Sequence, residues 1–289
     1  MKLDSVKNKN FVITGGGTGL GKEMAKILLE NKANVAIIGR RLEPLTKFAS
    51  EFESQKKKGG KLFTIQGDIS TKEGCEKVLQ KIKTTLGNYE ILINNAGVFF
   101  SGKFEDTEFS DIDKMLDTNL KGLIYFTKLS LPNIRAAKKP AIINISSIAG
   151  KVGMPFMTIY STTKFAVAGF TEALRRELVD QVKVIGVYPS GISTGFMGEA
   201  QSKLQKSKFK FDKPDNVALR IIEGFVKGED EIIIGDHSKS TVFWNTANKK
   251  TVDNSFRKMK TKIMSAVNGA SSEKEKIFPV DKKVFKSNK

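Results

Sequence analysis

Apolar residues fall along this chain in two alternating rhythms. Short runs rich in β-branched residues, Phe11–Thr14, Asn34–Ile38, Lys61–Gln66, Ile91–Asn94, Ala141–Ser146, Lys183–Tyr188 and Glu231–Ile234, read as strands. Between them, the segments near Leu20–Glu30, Leu42–Lys57, Glu73–Leu86, Phe109–Ala137, Thr158–Val179 and Pro214–Val226 repeat apolar residues at helical spacing. Gly39, Gly87 and Pro140 mark junctions between the two kinds of segment. Strand and helix in alternation predict successive βαβ units. The expected fold is therefore α/β, a doubly wound sheet of about seven parallel strands flanked by helices.

Beyond Gly235 the rhythm stops. The chain divides there into residues 1–235, a dinucleotide-binding and catalytic domain on the reading below, and residues 236–289, a lysine-rich C-terminal extension. Within the extension Phe256, Met259, Ile263, Met264 and Val267 share one helical face, with Arg257, Lys258, Lys260 and Lys262 around the other. Such a helix ordinarily packs on its own protein or on a sister subunit; it can also lie on a membrane surface, and peripheral membrane contact stays open. Ser271–Lys289 reads as a mobile tail.

Composition narrows the partners. With 49 Lys+Arg against 31 Asp+Glu the formal charge is +18, which brings nucleic acid and anionic membranes into consideration. The lysines are scattered, as at Lys56, Lys57 and Lys58, rather than interleaved with aromatics, so nucleic acid is disfavoured. Cys75 is the only cysteine and His237 the only histidine, which leaves no internal disulfide and no zinc cluster; no metal is expected. The same scarcity disfavours a Ser-His-Asp hydrolase centred on Ser147, which also lacks a nucleophile-elbow glycine pattern. Met1 to Asn10 shows no apolar signal-peptide core, and the most apolar stretch, Ala141 to Tyr160, is interrupted by Asn144 and Lys151. The expected location is cytoplasmic.

The first strand runs into Thr14-Gly15-Gly16-Gly17-Thr18-Gly19-Leu20-Gly21 and then into a helix. A glycine-rich strand-to-helix turn lets backbone approach a pyrophosphate, and the helix N-terminus offers it free N–H groups. The second strand ends in Ile38-Gly39-Arg40-Arg41. An NAD-binding chain would carry an acidic residue near Gly39 for the ribose hydroxyls, whereas Arg40 and Arg41 suit a 2′-phosphate. NADP(H) is thus expected over NAD(H), unless both arginines are ordinary solvated charge.

In chain order, Thr14-Gly15-x-x-x-Gly19-x-Gly21, Asp68, Asn94-Asn95-Ala96-Gly97, Asn119, Ser147 and Tyr160-x-x-x-Lys164 resemble the motif set of the short-chain dehydrogenase/reductases. The resemblance runs over about residues 10–235 and implies a Rossmann-type fold. It implies Tyr160 as catalytic acid/base, Ser147 holding the substrate oxygen, Lys164 bonding the nicotinamide ribose, and Asn119 holding a water between Lys164 and solvent. It further implies that Asp68, with Ile69 beside it, meets the adenine, and that Pro189, Gly191, Ile192 and Thr194 meet the carboxamide. Asn95, with Ala96 and Gly97, either approaches the adenosine ribose or braces the sheet edge. Ser190 stands where the family has glycine, which puts the local loop geometry in question. The long helices imply a homodimer or homotetramer.

Elementary chemistry bears on the same residues. Tyr160 and Lys164 are four apart in a helix and share a face, so the ammonium is expected to lower the phenol pKa from about 10. Ser146 and Ser147 point to opposite sides of an extended segment, so only one faces the site. Val98-Phe99-Phe100, Met154-Pro155-Phe156-Met157 and Phe196-Met197 are apolar. With Phe99, Met154, Phe156 and Phe196 as lining, the expected substrate is a hydrophobic carbonyl or secondary alcohol, fatty-acyl, lipid, steroid-like or aromatic, unless these residues pack a core or subunit contact. The alternatives are a non-catalytic dinucleotide sensor or nucleic-acid-binding protein on the same fold, and a lipid reductase held on a membrane by the Phe256–Val267 helix.

Overall fold

The computed structural model describes residues 3–54, 59–206 and 210–268. Its strands are β1 (Asn10–Thr14), β2 (Asn34–Gly39), β3 (Leu62–Gln66), β4 (Ile91–Asn94), β5 (Ala141–Ile145), β6 (Lys183–Pro189) and β7 (Glu231–Ile234). They form one parallel sheet in the order β3-β2-β1-β4-β5-β6-β7. Each expected strand is present with its ends within a residue or so.

Alternation along the strands sorts the core into two layers, because neighbouring side chains leave a strand on opposite faces. Phe11, Ile13, Val35, Ile37, Ile93 and Ile143 face α1 (Gly19–Glu30). Val12, Ala36, Ile38, Leu92 and Ile142 face the other helical layer. Both faces are covered, so the central strands read as continuous apolar runs.

On the first face α2 (Leu42–Ser54) packs beside α1 through Leu45 and Phe48. The second face carries α3 (Lys72–Thr85), and the chain then adds α4 (Phe109–Leu116), a π-helical turn at Asp117–Gly122, and α5 (Leu123–Arg135), which also lies on the second face. The expected single helix Phe109–Ala137 is thus two helices separated by a π turn, a feature common beside functional sites. The end of the expected helix Leu42–Lys57 lies outside the described residues. Next come α6 (Thr158–Glu177), α7 (Glu199–Lys206) and α8 (Pro214–Lys227), the last packing with α1 on the first face. α8 has proline in its first turn and ends at Gly228 in the left-handed conformation, φ +73°.

After β7 the chain adds α9 (Ser238–Ala247) and α10 (Lys249–Asn268). α10 packs against α7 and α9. Val252 is buried and Phe256, Met259 and Met264 are half-buried, while Arg257, Lys258 and Lys260 face outward. The apolar side of this helix is thus turned toward the protein; the side chains of Ile263 and Val267, and the segment read as a tail, lie outside the described residues. Among the described residues no helix is long and apolar enough to cross a membrane.

Candidate active site

The strand order reverses between β1 and β4, and ligands of such sheets bind outside the C-terminal strand ends at that point. Thr14 ends β1 there. Its Oγ1 accepts hydrogen bonds from the backbone N–H groups of Asn95 and Ala96, 3.0 Å each. The Asn95 side-chain amide donates to the carbonyls of Thr14 and Gly15, also 3.0 Å each. Asn95 therefore braces the glycine loop against the loop after β4, which is the structural member of the two roles open to it.

The loop has no room for side chains. Gly15 sits at φ +67°, and a Cβ on Gly21 would lie 2.3 Å from the Gly15 carbonyl oxygen. Gly21→Ala is expected to lower Tm by roughly 3–10 °C, the consequence of about 1–3 kcal/mol of overpacking, and to weaken nucleotide binding. Thermal melts with and without nucleotide check this; an unchanged Tm would mean that the loop is not close-packed in solution.

A cleft opens above the loop, lined by Thr14, Gly15, Gly17, Thr18, Ala96 and Gly97. Its far wall carries Gly39, Arg40, Arg41, Asp68 and Ile69. One Asp68 oxygen accepts the Ser70 N–H at 2.9 Å, which fixes the carboxylate at the rim. The Leu20 side chain is instead buried in the core beneath α1, so only its backbone is available to a ligand. Gly19 lies under Thr194, whose Cβ would be 3.2 Å from a Cβ placed there.

Ser147 follows β5. Its Oγ accepts the Ala149 N–H at 3.1 Å and donates to the Pro189 carbonyl at 3.4 Å. Ser146 points the other way, donating to the Lys164 carbonyl at 2.8 Å. Strand alternation thus gives Ser147 to the site and Ser146 to anchoring α6. Tyr160 and Lys164 share a face of α6 as expected, with the ammonium 5.6 Å from the phenol ring centroid. Lys164 is 5% exposed, and its Nζ donates to the Ile145 carbonyl at 2.9 Å.

The expected effect of Lys164 on Tyr160 is corrected. Burial pushes the phenol up to about 12, with the Ser147 hydroxyl drawing it part of the way back. Burial likewise pushes the ammonium down to about 8. Desolvation disfavours both charged forms, and the ammonium is directed at a backbone carbonyl rather than at the phenol oxygen.

Asn119 lies in the π turn, 1% exposed. Its Oδ1 accepts the Val98 N–H at 2.7 Å, and its Nδ2 donates to the Val98 carbonyl at 2.9 Å and to Thr163 Oγ1 at 3.3 Å. The side-chain amide thus joins the loop after β4 to α6. Thr163 was not singled out from sequence; its place inside Tyr160-x-x-x-Lys164 is the only signal for it.

Phe99 and Phe196 flank Tyr160, with ring centroids 5.0 and 6.3 Å away. Met154 lines a separate groove with Ser161 and Phe165, and its N–H bonds Ser161 Oγ at 3.1 Å. Phe156 has φ +62°, strained for an aromatic residue, and its carbonyl accepts the Gly102 N–H at 2.9 Å. Pro189 ends β6, and Gly191 accepts the Asp212 N–H at 2.9 Å while Ile192 bridges to Asp212. The questioned Ser190 donates to the Asp212 carboxylate at 3.1 Å, so its hydroxyl is accommodated by a second anchor on the same segment.

Comparison with known proteins agrees with this architecture. The family model for short chain dehydrogenases matches residues 9–205. SadH of Mycobacterium tuberculosis H37Rv, a provisionally assigned oxidoreductase, is 30% identical over 251 residues, which is 82% of this chain and 90% of SadH. An uncharacterized oxidoreductase of Staphylococcus aureus MRSA252 is 34% identical over 188 residues, 65% of this chain and 79% of the relative. A short-chain dehydrogenase/reductase from Burkholderia phymatum, solved in complex with NAD, superposes with a TM-score of 0.77 at 20% identity, over 86% of this chain and 96% of that one. L-sorbose reductase from Gluconobacter frateurii, complexed with NADPH and L-sorbose, gives 0.72 at 20% identity, over 81% and 97%. With its parallel seven-stranded sheet and these relatives, the chain belongs to the short-chain dehydrogenase/reductase family, as an oxidoreductase that acts on CH–OH groups with NAD(P)+.

Proposed function

We propose that the protein is an NADP(H)-dependent oxidoreductase that interconverts a hydrophobic carbonyl compound and its secondary alcohol. The observation that carries this reading is that Ser147 and Lys164 both lie against Tyr160, the serine hydroxyl drawing its phenol pKa part of the way back and the ammonium 5.6 Å from its ring centroid. A non-catalytic sensor needs the cleft but not the buried phenol and amine.

The cleft fits a dinucleotide in its glycine cradle, which any Cβ would fill, and in the arginines on its far wall. The glycine loop with Thr18 would hold the pyrophosphate, Asp68 and Ile69 the adenine side, and Pro189, Gly191, Ile192 and Thr194 the carboxamide side. Lys164 would bond the ribose, and Asn119 would keep the loop after β4 in register with α6. When bound, the nucleotide supplies or accepts the hydride.

Tyr160 holds the transferable proton on its phenol oxygen. With the phenol pushed up to about 12, the protonated form is the resting one, which suits donation to a carbonyl oxygen. Ser147 would hold that oxygen by a hydrogen bond. The rings of Phe99 and Phe196 beside Tyr160 support an apolar substrate.

The choice of NADP(H) rests on Arg40 and Arg41. The Burkholderia and Gluconobacter structures hold NAD and NADPH respectively, so the fold accepts either. Replacing both arginines by alanine is expected to raise the NADPH Kd on the order of tenfold or more while leaving NADH nearly unchanged, since charge-assisted bonds to a phosphate are worth about 1.5–3 kcal/mol. Titration of both nucleotides against both proteins checks it. Equal losses for NADH and NADPH would end the 2′-phosphate reading.

A further inference from the structure

We propose that α9 is a docking element for an anionic lipid surface, with Phe243 and Trp244 entering the headgroup boundary and Lys239, Lys249 and Lys250 meeting the negative charge. This goes beyond the reaction proposed above and does not depend on it.

Phe243 is 62% and Trp244 46% exposed, and their rings meet edge to face at a centroid distance of 5.4 Å. Two adjacent large aromatics facing water on a ten-residue helix form an apolar patch of the kind that interaction sites present. The helix is not loosely attached. Ser238 at its start is buried, His237 accepts from Ser240 and Thr241, and the Asn245 side chain donates to the Lys151 carbonyl at 3.1 Å. Asn245 fixes the inward edge of α9, and that fixes which edge presents Phe243 and Trp244 outward.

Charge selects the occupant. Lys239, four residues before Phe243 on the same helix, and Lys249 and Lys250, just after its end, are all exposed, and Arg257, Lys258 and Lys260 lie outward on α10. A two-fold contact between copies would set this lysine frame against its own image, in a chain already carrying +18. An anionic bilayer presents the opposite charge to the frame and an interfacial zone that favours tryptophan. The apolar side of α10 is turned toward α7 and α9, so the surface offered to a membrane is the aromatic pair of α9 rather than the Phe256–Val267 face.

Trp244 is the only tryptophan, so its fluorescence reports this contact directly. The full chain is titrated with vesicles of phosphatidylcholine alone and of phosphatidylcholine mixed with phosphatidylserine. The expected result is a blue shift, with quenching by bromine-labelled acyl chains, in the mixed vesicles only and diminishing as salt rises. Phe243→Ser is expected to weaken the binding, and Lys249→Gln with Lys250→Gln to weaken it on the order of tenfold or more, with nucleotide affinity unchanged. Absence of any shift overturns the proposal. A shift that grows with protein concentration without lipid overturns it in favour of a second copy. Vesicle binding with no shift, equal in Phe243→Ser and matched by a DNA duplex, overturns it in favour of general polyanion attraction.

Discussion

Tyr160→Phe is expected to lower kcat by roughly 10²- to 10⁴-fold, the range for loss of a positioned acid/base, while nucleotide affinity and Tm stay close to wild type. The substitution removes one oxygen and keeps the ring that packs edge to face on Phe99. Burial holds the phenol protonated, so the variant loses a proton donor rather than a charge. Single-turnover oxidation of NADPH with an apolar ketone, beside equilibrium binding of NADPH, separates chemistry from binding. A variant that retains most of its turnover removes Tyr160 from the reaction; a variant that loses binding in parallel makes the ring a wall of the nucleotide site instead.

Lys164→Met should abolish most activity and yet stabilise the fold near neutral pH. Burial lowers the ammonium from its ordinary 10.5 to about 8. The unfolded chain therefore binds this proton more tightly than the folded one. Below pH 8 both states are charged and the folded state carries the desolvation penalty in full, on the order of 3 kcal/mol. As pH rises from about 8 to 10.5 the folded amine becomes neutral and the penalty disappears. The variant leaves the Ile145 carbonyl without its partner, which costs about 1–3 kcal/mol, so the net gain at pH 7 is on the order of 1 kcal/mol. Melts of both proteins at pH 7 and pH 10 test the sign: the variant's advantage should shrink or reverse at the higher pH. A difference independent of pH would mean that Lys164 is not a desolvated charge in the folded chain. An active-site lysine that weakens the fold is the usual trade between function and stability.

Much of this was legible from residue order alone. The strands are β-branched runs bounded by polar or turn residues, and with both sheet faces covered they carry a signal no surface context overrides. Two helices escaped for the opposite reason. α7 is Glu-Ala-Gln-Ser-Lys-Leu-Gln-Lys, with little apolar periodicity, and α9 holds Thr, Val, Phe and Trp in succession, residues that favour strands. Both owe their place to neighbours: α10 packs on each of them, and Asn245 binds a carbonyl far away in sequence. The π turn at Asn119 was equally hidden, because its side chain answers to the Val98 backbone and not to its own helix.

Sequence by itself determined the alternation of strand and helix, the glycine loop after β1, and the ordered set Asn119, Ser147, Tyr160, Lys164. These depend on local conformational preference and on spacing within one element, which residue order contains. Tertiary structure alone decided that Asn95 braces a loop, that Ser190 finds Asp212, that Met154 lies in a groove apart from Phe99 and Phe196, and that burial weakens the hold of Lys164 on its proton while raising the Tyr160 phenol pKa. Each of those outcomes is set by which groups from distant segments share a desolvated space, and desolvation is a property of the packed whole.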